Sequence, residues 1–221
     1  MEGTIKAVIT GDIIGSTRIV GDYKEALHKI GRDIKKHQDD TFIMDIYRGD
    51  SFQAISARPG LGLLSLLIIK AGLKRHSTTT GSKKTQWDAR MSVGIGPLDH
   101  YPANNDLSEM TGEPFTISGR GLDSMKEKGR HIKAKTGIED FDQDLEAIMP
   151  MIELITDRWS TSQADVVYHA LLQPGLTQTE IGKTLGKTQK AVSKSLIISN
   201  IEAVEPFLKR FSEKVQWIYK K

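Results

Sequence analysis

Hydrophobic periodicity changes character once along this chain, and that change limits the possible folds more than any other feature. Up to about residue 138, short stretches that alternate apolar and polar residues sit between helical periods; from Phe141 onward no alternation appears. A period of two lines one face of a strand, whereas recurrence at three and four lines one face of a helix. "IKAVITGD" (residues 5–12) alternates and runs out in Gly-Asp, which reads as a strand feeding a loop. "DYKEALHKIGRDIKKHQ" then sets Asp22 and Glu25 at capping-box spacing and puts Leu27, Ile30 and Ile34 on one stripe. A hairpin follows over residues 42–57, an apolar helix over 60–75, a polar loop over 77–86 and the strand "ARMSVGIG". An irregular stretch leads to a helix over 117–128 and the short strand "HIKAK". This order predicts an α+β unit of the ferredoxin-like, split βαβ kind: an antiparallel sheet with helices on one face.

The second part reads as all-helical. Gly137 marks the boundary, so the expected units are residues 1–138 and 139–221, joined by a connector helix over 140–157. Pro150 and "DRWSTSQ" are expected to interrupt the helical periods that follow. "STSQADVVYHALL" opens with the capping pair Ser160 and Gln163. "TQTEIGKTLG" opens with Thr177 and Glu180 and stops at Gly186, and "TQKAVSKSLIIS" starts at once. Two short helices around a glycine turn, with Ile181, Leu185, Val192 and Leu196 able to form one small core, predict a helix-turn-helix. Residues 183–194 hold four lysines and no acid. If the second helix enters the major groove of double-stranded DNA, Gln189, Lys190, Ser193 and Lys194 line its outward face. Thr188 then caps its positive N-terminus toward phosphate. A trihelical unit of this kind also serves other proteins purely for dimerisation, with its lysines merely solvated. Gly182, where a small Ala is usual, and Lys187, where an apolar residue often follows the turn, depart from the common pattern.

Composition excludes more than it assigns. A chain of 221 residues with no cysteine has no disulfide framework and no Cys-based zinc site, which suits a reducing, cytoplasmic setting. The longest apolar run, residues 61–69, contains Gly62 and Ser65 and is too short to span a bilayer, so no membrane partner is expected. A net charge of +3 is too small to imply a nucleic-acid partner without local clustering. The six histidines are scattered, and Trp87, Trp159 and Trp217 read as packing residues.

"DIYRGDSFQAIS" pivots a hairpin on Gly-Asp, and a turn alone accounts for Asp50, because Asp bonds its own backbone there. Asp12, however, stands at the end of the first strand, and in a ferredoxin-like sheet the two positions converge. Two carboxylates at neighbouring strand ends suit Mg²⁺, a hard cation that takes oxygen ligands and shares its shell with phosphates.

"TGDIIGST", "YRGDSFQ", "RMSVGIG" and "GEPFTISGRGLD", followed by "WSTSQ" and the helix-turn-helix, resemble the SatD family of bacterial proteins over nearly the whole chain. The first part is also similar, more distantly, to class III nucleotide cyclases, whose palm domain has the ferredoxin-like order. That resemblance implies Asp12 and Asp50 as metal ligands. It further implies Glu109, Gly112, Thr116 and Arg120 as the nucleotide-binding set, with Arg120 reaching across a homodimer interface. Glu109 and Thr116 stand where those enzymes carry Asp and Asn, and Ile46 stands where they read the purine with Lys. Three functions follow: a DNA-binding regulator that senses a nucleotide, an active nucleotidyl cyclase or transferase with a DNA-binding tail, and a palm that only dimerises the helical units.

Overall fold

In this computed structural model the described residues are 4–126 and 129–219. Strand β1 (Ile5–Ile13) lies at the centre of the sheet, antiparallel both to β3 (Ser51–Ser56) and to β6 (Ala89–His100). β2 (Ile43–Arg48) flanks β3, which gives the order β2-β3-β1-β6. With helices α1 (Tyr23–His37) and α2 (Gly62–Lys74) as crossovers, this is the split βαβ arrangement, and the α+β class expected of the chain is found. The sheet is not purely antiparallel. β8 (Ile132–Lys135) runs parallel to the first half of β6, while β7 (Thr111–Gly112) pairs antiparallel with its end.

Helices cover both faces of the sheet, not one. Ala7, Ile9, Val93 and Ile95 face α1 and α2, and Gly62 comes so close that a Cβ there would stand 2.7 Å from the Ala7 Cβ. The opposite face carries α3 (Glu113–Lys126): the Thr10 and Ser118 hydroxyls are 2.8 Å apart, and a Cβ on Gly94 would meet the Pro114 carbonyl at 2.5 Å. The reason was present in "AVIT", a continuous buried run at residues 7–10, since a strand buried on both sides need not alternate.

Four other expectations change. Residues 77–86 are no loop but a two-stranded hairpin, β4 (Ser77–Thr80) with β5 (Lys83–Gln86). It is anchored by Trp87, which donates to the Thr78 hydroxyl at 2.8 Å and stacks on His76. α3 begins four residues before 117, because Pro114 is tolerated in a first turn; residues 127 and 128 of that expected helix lie outside the described residues. Pro150 lies inside α4 (Glu139–Asp157) without ending it, since buried Phe141, Leu145, Met149 and Ile152 hold both flanks to the core. The Asp22 cap of α1 forms, but the Glu25 side chain turns to Arg32 instead of closing the box.

The remaining helices are α5 (Thr161–Leu172), α6 (Gln178–Leu185), α7 (Gln189–Ser199) and α8 (Ile201–Ile218). One apolar core runs from Ala7 on the sheet to Val215 on α8 without a break at residue 138. Polar contacts reinforce it: the Tyr168 hydroxyl donates to Asp33, and the Tyr219 hydroxyl donates to the Thr136 carbonyl at 2.8 Å. Trp159 is buried as expected and donates to the Ser199 carbonyl, whereas Trp217 is 57% exposed and is not a core residue. Among the described residues no helix is long and apolar enough to cross a membrane.

A charged cluster ties α2, the start of β6 and the end of α4 together. The fully buried Lys70 ammonium lies 3.0 Å from Asp88 and 2.8 Å from Asp157, and His131 Nδ1 lies 2.8 Å from the other Asp157 oxygen. The bond to Asp157 raises His131 above its ordinary 6.5. Burial pushes the Asp157 carboxyl up, but its bond to His131 and the charge of Lys70 outweigh that and hold it well below its ordinary 3.8. The raised His131 stabilises fully below pH 6.5 and loses its contribution as pH rises through its folded value; the depressed Asp157 stabilises above pH 3.8. Urea denaturation should therefore find His131→Gln less stable than wild type by a margin widest between pH 3.8 and 6.5 and narrowing above it. A margin that stays constant from acid to alkaline pH would show that the charged imidazole contributes nothing.

Candidate functional site

The β1 register sets Asp12 opposite Ser51 on one side and Arg90 on the other. Asp50 follows Gly49 in the β2–β3 turn, where Gly49 takes a left-handed φ of 55° that an L side chain rarely adopts. The two aspartates thus come together where β1 ends and β3 begins, the edge of the sheet formed by strand ends, as the sequence predicts. Their charges are felt: burial pushes the Asp12 carboxyl up from its usual range, Arg90 and Lys126 oppose this, and Asp50 pushes it up again. The end of β1, the loop after it and the start of α1 close the site. The Ser16 hydroxyl donates to Asp50 Oδ2 at 2.7 Å, Ile13 N–H donates to the Asp50 carbonyl, and the Tyr23 hydroxyl donates to the Gly49 carbonyl.

Arg90 was not foreseen. Its guanidinium donates to both Asp12 oxygens, at 3.4 and 3.2 Å, and to the Arg130 carbonyl. Nothing in "ARMSVGIG" marks it, because only the β1–β6 register sets it opposite Asp12. Ser16 lies within "TGDIIGST" and was legible as part of a loop, though not as a partner of Asp50. The edge therefore offers two carboxylates, a hydroxyl and a guanidinium, a donor set that fits a divalent cation with an attached phosphate.

The other cyclase-type positions do not join this edge within one chain. Gly112 pairs with Leu98, eight residues along β6 from Arg90, which at strand rise is about 26 Å away. Glu109, exposed, precedes it in the turn at Leu107–Glu109. Thr116 and Arg120 lie on α3 four residues apart and exposed, on the side away from the buried Pro114, Ser118 and Gly121. A second acid group was also missed. Ligand atoms of Asp88, His131 and Asp157 lie within 4.8 Å of one another and could hold a metal ion, yet the Lys70 ammonium already sits against both aspartates.

In the helical part, α5, α6 and α7 enclose Val166, Ile181 and Val192 as a separate small core. Both capping boxes form, at Ser160 and Thr177, and Gly186 ends α6 with a φ of 63°. Gly182 has a physical reason: a Cβ there would stand 2.6 Å from the Lys187 carbonyl, so Ala is excluded by the way the turn folds back. Lys187 turns its amine to Ser162 on α5, away from the exposed side of α7. Thr188 caps α7 by accepting from Ala191 N–H. Lys190 and Lys194 are exposed, Gln189 donates to Gln178 on α6, and Ser193 is half-buried at the margin of that face.

Removing Arg90 deprives Asp12 of its nearest cation while leaving its burial and the Asp50 charge in place. Arg90→Ala should raise the Asp12 pKa further, read from the carboxyl carbon in an NMR titration. A value at or below that of wild type would break the assigned pair.

No protein-family model matches the sequence, and no curated protein matches it. Among solved structures the chain is similar to the active GGEEF domain of a diguanylate cyclase from Vibrio cholerae, at 15% identity over 60% of this chain and 83% of that one, with a TM-score of 0.41. It is also similar to the GGDEF domain of DgcB from Caulobacter crescentus in complex with c-di-GMP, at 13% identity over 59% and 78%, with a TM-score of 0.41. A third likeness is to the adenylyl cyclase CyaB from Pseudomonas aeruginosa, at 13% identity over 54% and 71%, with a TM-score of 0.37.

Proposed function

We propose that this chain is a DNA-binding transcriptional regulator whose palm-like part senses a nucleotide carried on a divalent cation, Mg²⁺ or Mn²⁺. The observation that carries the reading is the convergence of Asp12 and Asp50 on one sheet edge, next to Arg90 and the Ser16 loop. In this reading the carboxylates hold the cation. Arg90 leaves Asp12 for a phosphate oxygen, for which its fork of donors is suited. Such a site binds a cation and phosphates without groups that read the base or place the ribose, and the replaced Asp, Asn and Lys equivalents at Glu109, Thr116 and Ile46 favour sensing over cyclisation.

The functional unit in this reading is a homodimer. Exposed Thr116 and Arg120 face away from their own sheet, so a second copy would bring them to the Asp12 edge, and paired helical units would meet two DNA half-sites. Recognition falls to Gln189, Lys190 and Lys194 on the exposed side of α7, with Thr188 at its N-cap and the half-buried Ser193 at the margin.

Calorimetry with Mg²⁺ or Mn²⁺ and nucleoside triphosphates tests the sensor. Asp50→Asn should weaken cation-dependent nucleotide binding by at least about tenfold. Thermal stability should stay unchanged or rise, because repulsion from Asp12 is relieved. A wild-type chain that binds no divalent cation, with or without nucleotide, returns Asp50 to the role of a turn residue. For the DNA arm, Lys190→Ala with Lys194→Ala should weaken duplex binding and flatten its salt dependence by about one unit of slope per lost phosphate contact. Wild-type affinity and slope in that double variant would remove α7 as the reader.

A further inference from the structure

A cavity of about 760 Å³ opens where α5, α6, α7 and α8 meet Leu64 of α2. Its wall is apolar, formed chiefly by Leu171, Ile181, Leu196, Ile201 and Leu208. The volume is that of pockets that take drug-sized molecules. None of the groups at the Asp12 edge takes part in it.

The rim gives the occupant its charge. Glu202 and Glu205 are exposed, line the opening and stand three residues apart on α8, a spacing that brings side chains together on one face. Burial, and then the Glu202 charge, push the Glu205 carboxyl up from its ordinary 4.5. Among the described residues neither glutamate side chain has a hydrogen bond or an ion pair, and although Lys209 also lines the opening, no ion pair joins it to them. Two like charges at the mouth of an apolar hole repel each other, and a cationic group bound between them relieves that repulsion.

We propose that this cavity binds a small amphipathic organic cation, with its apolar body against Leu171, Ile181 and Leu196 and its ammonium between Glu202 and Glu205. Ile181 and Leu196 also hold α6 and α7 in the trihelical core, so the ligand would lie against the residues that set the spacing of those helices.

The test uses three probes of one shape, 4-phenylbutylammonium, 4-phenylbutan-1-ol and 4-phenylbutyrate, titrated into the full chain by calorimetry without DNA or nucleotide. Its outcome is therefore independent of the regulatory reading. The ammonium should bind one to one and about fivefold more tightly than the alcohol, as suits partly exposed ion pairs, with the carboxylate weakest. Glu202→Gln with Glu205→Gln, both at exposed positions, should bring ammonium affinity down to that of the alcohol and leave the alcohol unchanged. Amide shifts in NMR should centre on Leu171, Ile181 and Leu196. Equal affinity for all three probes, or no binding at millimolar concentration, overturns the proposal. So does concentration-dependent self-association that moves the same amides, which would assign the cavity to a second copy.

Discussion

The Lys70 ammonium, buried between Asp88 and Asp157, is the contact on which the arrangement of both parts turns. An unpaired charge in that position would be costly, so α2, the start of β6 and the end of α4 must bring their groups together or not pack at all. Lys74 adds a bond to the Asp157 carbonyl, and Arg130 pairs with Glu153 one turn earlier on α4. The carbonyl of Asp88 also accepts from Ile14 N–H. One cluster thereby fixes the connector helix against the sheet and one side of the loop that carries Ser16.

That coupling matters for the candidate site, because none of its groups is held by its own element alone. Asp12 owes its position to the register with Arg90, and Asp50 to a turn whose carbonyl is bonded to Ile13 at the end of β1 and whose carboxylate is bonded to Ser16 beyond it. A cation drawn to this edge competes with Arg90 for Asp12, so occupancy would change a cross-strand contact on β6, the strand that starts at the Lys70 cluster.

Much of this was legible from residue patterns. The hairpin, the first two helices and the trihelical unit with its caps all follow from local periodicity and local hydrogen bonding. Those signals act over a few residues and survive into the fold, as the Ser160 and Thr177 boxes do. The β4–β5 hairpin was missed because its residues are polar; Trp87 holds it from outside. The second covered face of the sheet escapes an alternation reading because β1 is buried continuously over residues 7–10, while the small Gly94 and Ser92 on β6 admit α3.

The sequence by itself determined which residues carry charge at the strand ends, which segments are helical, and that the chain changes from mixed to helical near residue 138. Only the tertiary structure decided the partners. Arg90 meets Asp12, Lys70 meets Asp157, and Glu202 and Glu205 border an apolar hollow through contacts between segments far apart in the chain. Such pairings depend on strand register and helix packing, which are fixed by the whole core at once, so no local pattern contains them.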